Sequence, residues 1–357
     1  MIQIIAATTL SMCSNLGRTS IKARAMRLPN VVLLAAGLLI LVLASACGDA
    51  AASPQPPDTA GATPRPTVTA EATTKPTTTK DVAPQITTAN AEPELPEFDA
   101  ANFGLSTVID NAWYPLHPGT KWVYEGTTTE GNEVIPHRIE FTVTDLTKEI
   151  LGVRTVVAWI EDFSDGELIE KEIAFYAQDK NGNVWYLGEH PEEYEGGRLI
   201  DAPTWIAGYA DAKAGIKMWA DPYRPEVPVY YQGWAPAVEW SDYAQVDQVA
   251  QETCVPVGCY TNLLMIAESS LDEVGIYQIK SYALGVGEVR VGSRGDAESI
   301  EELELEEYTQ LSPDAMAAVR AQALELEAHA YEISEDVYAK TATSQQVPSK
   351  SQQVPSK

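Results

Sequence analysis

Between Arg138 and Thr144 the chain alternates strictly, with Ile139, Phe141 and Val143 set between Arg138, Glu140, Thr142 and Thr144. A period of two turns every apolar side chain to one face of an extended strand, whereas a helix needs a period near 3.6. Related runs recur between turn residues. Lys121–Glu125 follows Pro118-Gly119-Thr120, Val153–Phe163 follows Gly152, and Asp165-Gly166 leads into Glu167–Gln178. Asn181-Gly182 leads into Val184–Leu187 as a hairpin signal. Further runs are Val229–Gln232, Gln245–Glu252, Tyr260–Glu268, Ile276–Ala283, Glu288–Gly292 and Glu301–Tyr308. All eight tryptophans lie between Trp113 and Trp240. Many short strands without intervening long helices predict a mainly β body over residues 98–310. The expected form is a single antiparallel curved sheet, barrel-like or a sandwich.

After Tyr308 the period lengthens. Ser312 is a good N-cap with Pro313 behind it, and Met316, Val319, Ala323, Leu326, Ala330, Ile333 and Val337 then follow at alternating spacings of three and four. This predicts a C-terminal amphipathic α-helix within 311–340, packed across the β body, with self-association as the lesser reading. Residues 341–357 are polar and contain Ser344–Lys350 repeated identically as Ser351–Lys357, which predicts a disordered tail.

The N-terminal part carries an address. Val31–Leu43 has no polar side chain and ends in Ala44-Ser45-Ala46 before Cys47. It is too short for a membrane span, which needs roughly 20 apolar residues, and suits a signal h-region. The stretch resembles the lipobox of bacterial lipoproteins, which implies cleavage after Ala46 and lipidation of Cys47. Residues 1–46 are then a signal peptide, with Met26 the suspected true start. Residues 47–97 are rich in Pro, Thr, Ala and Glu and predict a disordered tether spanning roughly 40 Å as a flexible coil. The net charge of −27 becomes −31 once four basic residues leave with the signal. Such acidity repels phosphate backbones, so nucleic acid is excluded as a partner.

Four motifs occur in order: Asn111-Ala-Trp-Tyr-Pro-Leu-His-Pro-Gly-Thr120, Tyr176-Ala-Gln-Asp-Lys-Asn-Gly-Asn-Val-Trp-Tyr-Leu-Gly-Glu189, Cys254-Val-Pro-Val-Gly-Cys-Tyr260 and Tyr282-Ala-Leu-Gly-Val-Gly287. Together they resemble an uncharacterised family of bacterial secreted proteins and lipoproteins, with Leu284 where that family has Pro. The resemblance implies a secreted β-rich domain and no chemistry.

The candidate site residues follow from spacing. Cys254 and Cys259 enclose Val-Pro-Val-Gly and are expected as a structural disulfide outside the cytoplasm. The loop from Asp179 fails as a calcium-binding EF-hand, because Gly182 falls at position 4 and His190 at position 12. Glu189, His190, Glu192, Glu193 and Glu195, close to Trp185, form an acidic run that suits a cation or a ligand; the bland alternative is a solvated loop. The four histidines show no metal-ligand spacing, and no nucleophile elbow or phosphate loop is present. No cofactor is required; calcium is the one the acidic run leaves open. The expected protein is therefore held to a membrane through Cys47 on the extracytoplasmic face of the cell envelope. It would bind or scaffold an extracellular ligand or envelope protein without catalysis. The alternatives are a hydrolase of extracellular glycan or peptide using Glu189, Glu192, Glu193 or Glu195, and a structural component assembling through the terminal helix.

Overall fold

The computed structural model describes residues 92–347 except 225, 226 and 274, so the signal stretch, Cys47 and the tether up to residue 91 lie outside the described residues. Within them the strands are β1 (Thr120–Glu130), β2 (Glu133–Ile150), β3 (Val153–Ser164), β4 (Glu167–Gln178), β5 (Val184–Glu195), β6 (Arg198–Asp201), β7 (Trp205–Ile206) and β8 (Lys213–Met218). There follow β9 (Tyr230–Ala235), β10 (Trp240–Val255), β11 (Gly258–Ser269), β12 (Tyr277–Ala283), β13 (Gly287–Arg294), β14 (Ser299–Gln310) and β15 (Gln345–Gln346). Twelve of them form a ring in the order β1-β14-β13-β12-β11-β10-β9-β8-β5-β4-β3-β2, and β1 pairs with β2 to close it. Every strand pair is antiparallel. The architecture is thus a closed barrel rather than a sandwich, which leaves little sheet edge around the ring.

Local chemistry sets the hairpins. β2 turns into β3 through Leu151-Gly152 and β3 into β4 through Asp165-Gly166, with all four residues at φ between 49° and 78°. Two consecutive positive φ values define the type I′ turn, whose twist matches the strands it joins. Cys254 and Cys259 stand directly opposite each other in the β10–β11 register and form a disulfide.

Residues 109–118 close one end of the ring. The Asn111 side chain holds this segment in place: its Oδ1 accepts from Trp113 N (2.9 Å) and Tyr114 N (3.1 Å), and its Nδ2 donates to Gly182 O (2.8 Å) and Trp219 O (3.2 Å). Gly285 N bonds Ala112 O at 2.7 Å and Trp122 Nε1 donates to Val286 O at 2.8 Å, so the first and fourth motifs meet across this closed end.

The helix α1 (Pro313–Ile333) starts on Ser312, whose Oγ accepts from Ala315 N. It packs on the outer face of β2 and β4. Ala323, Leu326 and Ala330 are buried there, whereas Ile333, the helix's last residue, is 40% exposed. Glu327 shares the buried face and pairs with Lys148 of β2 at 2.9 Å; Lys148 also donates to Ala342 O (2.6 Å) and lies 4.2 Å from the Tyr338 ring centre. Two expectations change here. Residues 341–347 are bound rather than disordered, because Glu327 accepts from Ser344 and β15 pairs with β2. The chain also joins the sheet at Glu94, ahead of Phe98, through a bridge to Tyr230.

Candidate functional site

Opposed residues in antiparallel register share a face, so pairing states which side chains enter the barrel. Ile139, Phe141, Ile160, Glu172 and Tyr176 line an internal cavity of about 70 Å³. Ile139 is opposite Asp162, Asp162 opposite Glu170, and Glu170 opposite Glu193, which puts those three carboxyls in the inward rows. A cavity of that size holds about five waters at roughly 10–15 Å³ each. The outward positions of β14 include Glu302, Glu304 and Glu306, none of them buried, so this wall faces water rather than lipid.

Two polar clusters meet in the interior. In the first, Glu268 of β11 accepts from Lys217 Nζ and Lys280 Nζ, each at 2.9 Å, and from Gln232 Nε2 at 2.9 Å. Burial pushes the Glu268 carboxyl up, but the two ammonium groups outweigh it and hold it at about 2. Glu288 lies 3.9 Å from Lys280, yet burial keeps its carboxyl above the ordinary range. Asp242 also lines the cavity.

The second cluster is an excess of acid. Tyr186 Oη bonds both Glu172 (3.3 Å) and Glu189. Burial raises Glu172 well above its usual value, and the neighbouring Glu189 and Glu170 raise it further. Glu170 is raised by burial and by Asp162, Glu189 and Glu193. His137 lies between two acids: Nε2 bonds Asp162 Oδ1 at 2.7 Å, and Nδ1 faces Thr128 Oγ1 at 2.9 Å and Glu301 Oε1 at 3.1 Å. Burial opposes its charge, but these hydrogen bonds raise it to about 10, so His137 is an imidazolium at neutral pH. Among the described residues, nine carboxyl groups thus reach the interior against three bases, His137, Lys217 and Lys280. Tyr176 and Tyr186 stack at 4.7 Å, and Tyr186 meets Trp205 edge-on at 5.2 Å, so the acids lie beside aromatic rings. A second, open concavity of about 340 Å³, bordered by Gly126, Pro136 and Phe163, also reaches His137.

The acidic run expected as a site is divided by the strand it forms. Glu189–Glu195 belongs to β5, not to a solvated loop. Glu189 and Glu193 lie in the inward row, while His190 and Glu192 face α1 on the outer side. There His190 Nδ1 meets Thr204 Oγ1 at 2.6 Å, and Glu192 accepts from Tyr194 and from His329 of α1. Burial lowers the His190 pKa; it opposes the ionised form of Glu192, but hydrogen bonds from His190, Tyr194 and His329 hold that carboxyl at about 2. Glu195 is exposed near the hairpin end. Trp185 packs against Phe98 and Phe103, and its Nε1 donates to Asp179. Asp179 accepts in addition from Asn181 N, Asn183 N and Asn183 Nδ2, so its oxygens are used within the turn. Sequence reasoning missed Glu172, Glu268, Lys217 and Lys280. Their inward alternation on β4, β8, β11 and β12 was the available signal.

No family model matches the chain, and no curated protein matches it. Among solved structures, it is similar to one described as an exported protein with a YmcC-like fold from Bacteroides fragilis, at 11% identity and a TM-score of 0.31. It is also similar to one described as a lipoprotein from Parabacteroides distasonis, at 14% identity and a TM-score of 0.30. Each comparison covers 56% of this chain and 100% of the other. Overlaps this loose carry no argument about fold or chemistry.

Proposed function

We propose that the protein is a lipid-anchored, extracytoplasmic binding protein without catalysis, whose ligand occupies the barrel interior and carries a cationic group. The observation that supports this is the internal cavity lined by Glu172, Glu288, Glu301 and Asp242 beside tyrosine rings. Glu172 is buried beside the carboxyls of Glu170 and Glu189, and a buried carboxyl among like charges either takes up a proton or pairs with a cation. An ammonium or guanidinium ligand would replace that proton and meet aromatic faces that favour cations.

The test is thermal unfolding of the protein without its first 47 residues against diamines, agmatine, calcium, cell-wall glycans, peptides and lipids. A ligand at about 100 times its Kd adds about 2.7 kcal/mol, or several degrees in the midpoint. A cationic hit should release protons on binding and disappear in Glu172→Gln/Glu189→Gln. A panel in which cations give no shift defeats the ligand class. The anchor has its own test: Cys47→Ala should move the protein from membrane to soluble fraction, and recovery with membranes would defeat the lipoprotein reading.

A hydrolase remains the second reading because Glu172 and Glu189 share Tyr186, an arrangement suited to an acid/base pair. Glu192 takes no part in it from the outer face. Turnover of a glycan or peptide that is lost in Glu189→Gln with the fold intact would favour the enzyme. Assembly through α1 is less favoured, since the middle of its apolar stripe is already buried against the barrel.

A further inference from the structure

The closed ring leaves one stretch of open edge, and the chain carries two copies of the segment that fills it. β1 pairs with β2 only as far as Thr142, and Gly119 N takes Val143 O, so the rest of β2 runs past its neighbour. β15 occupies that edge: Gln345 lies opposite Thr147, Gln346 opposite Leu146, and Val347 N donates to Asp145 O at 2.9 Å. The polar groups of the docked segment are individually matched. Ser344 donates from N (3.1 Å) and Oγ (2.9 Å) to Glu327 Oε1. Gln345 Oε1 accepts from Arg154 at 3.2 Å, and its backbone O accepts from Thr147 Oγ1 at 3.1 Å. Gln346 Nε2 donates to Asp145 Oδ2 at 2.9 Å. Strand addition of this kind gives affinity through the backbone and selectivity through side chains. Ser351-Gln352-Gln353-Val354 repeats the docked residues without change and so carries every donor and acceptor used.

We propose that this edge of β2, with Glu327 and Arg154, is a recognition slot for Ser-Gln-Gln-Val, and that Ser351–Val354 is its second occupant in the same molecule. The first copy holds the slot at rest. Residues 341–343 link it to Lys340, whereas the second copy must be joined through 341–350. Loop closure over about ten residues rather than three disfavours the second copy about sixfold. It also gives up the bond from Lys148 to Ala342 O. Both copies are tethered, so either outcompetes the same segment from another molecule at ordinary concentrations. The repeat keeps an exposed sheet edge covered when its first cover is displaced, and an uncovered edge invites pairing with other chains.

The test uses the full chain labelled with ¹⁵N-valine and reads amide exchange at Val347 and Val354. In the wild type Val347 should be protected and Val354 nearly free. In Gln345→Pro/Gln346→Pro, which disables the first copy, Val354 should gain at least tenfold protection. In a variant with Gln352→Pro/Gln353→Pro added, the free peptide Ser-Gln-Gln-Val-Pro-Ser-Lys should saturate the emptied slot, and a scrambled peptide should not. A Val354 amide that stays unprotected in a folded Gln345→Pro/Gln346→Pro protein overturns the proposal. So does protection that appears only as protein concentration rises, which would place the segment in another molecule.

Discussion

Replacing Glu268 by glutamine should unbalance the barrel interior while leaving its volume unchanged. The carboxylate is 4% exposed and faces two buried ammonium groups at 2.9 Å each. Glutamine keeps one acceptor but turns an amide N–H₂ towards a lysine. Lys280 still has Glu288 at 3.9 Å, and Lys217 still has Gln232 Oε1 at 3.3 Å, so the loss is partly cushioned. Removing one partner of a buried pair costs about 3–5 kcal/mol. The second route to the magnitude agrees: a carboxyl held at about 2 instead of 4.5 favours the native state by about 3 kcal/mol at neutral pH. For a domain of this size that is a fall of about 6–12 °C in Tm. The sign with pH is fixed. A depressed carboxyl stabilises above its unfolded value near 4.5 and loses that contribution as pH falls towards 2. Melting curves by circular dichroism at pH 7, 5, 4 and 3 should therefore show the variant's deficit shrinking with acid. A deficit that persists undiminished at pH 3 would show that packing, not charge, is responsible, and a deficit below about 1 kcal/mol at pH 7 would show that the lysines do not depend on Glu268.

The wild-type protein itself should melt higher at pH 5 than at pH 8. Glu170, Glu172 and Glu288 are raised by burial, so the native state holds protons that the unfolded chain releases above its ordinary range. His137, raised to about 10, acts in the same direction above 6.5, and His190, lowered by burial, opposes it; a Tm that rises steadily from pH 5 to 8 would contradict the assignment. Lys148→Met should leave Glu327 buried without its partner and cost about 3 kcal/mol, whereas Lys148→Met/Glu327→Leu should recover most of it; limited proteolysis near residues 334–347 and urea unfolding read both. Cys254→Ala/Cys259→Ala should cost about 2 kcal/mol, the low end expected for so short a loop, and equal Tm values for oxidised wild type and variant would refute it.

The barrel was legible because its signals are local. Alternation at Ile139, Phe141 and Val143 and the glycines at 152 and 166 each act within a few residues, and the hairpins they specify pair neighbours in sequence. Closure was not legible, since it depends on β1 meeting β14 across nearly 180 residues. Glu189–Glu195 was read as one candidate cluster, with a solvated loop as the alternative, because its charges outweigh its alternation. In the structure that alternation sends Glu189 inward towards Tyr186 and Glu192 outward to His329. Proximity in sequence gathered five candidates, and a period of two separated them. Glu268 and Lys280 escaped notice for the converse reason: each is the one charge of its strand, and Glu172 was lost among Glu170 and Lys171; only the closed ring brings the three together. The tail was misread because polar composition predicts solvation, whereas Ser344 is held by one buried carboxylate that no local pattern announces.

A polar barrel interior raises the question of what holds the ring together. Apolar burial is displaced to two other places. One is the outer face of β2–β5, where Trp159 and Phe175 are buried and Phe175 meets Tyr338 behind α1. The other is the closed end, where Trp113 and Leu116 are buried and Tyr114 reaches Tyr176 and Tyr282. Burial at about 25 cal/mol per Å² is insensitive to which side of a sheet it occurs on. With packing carried by the helix-covered face and the closed end, the interior can hold ionisable groups that a small apolar-filled barrel would exclude. Substitutions under α1 should therefore act on stability, whereas substitutions at Glu172 or Glu189 should act on what the interior binds.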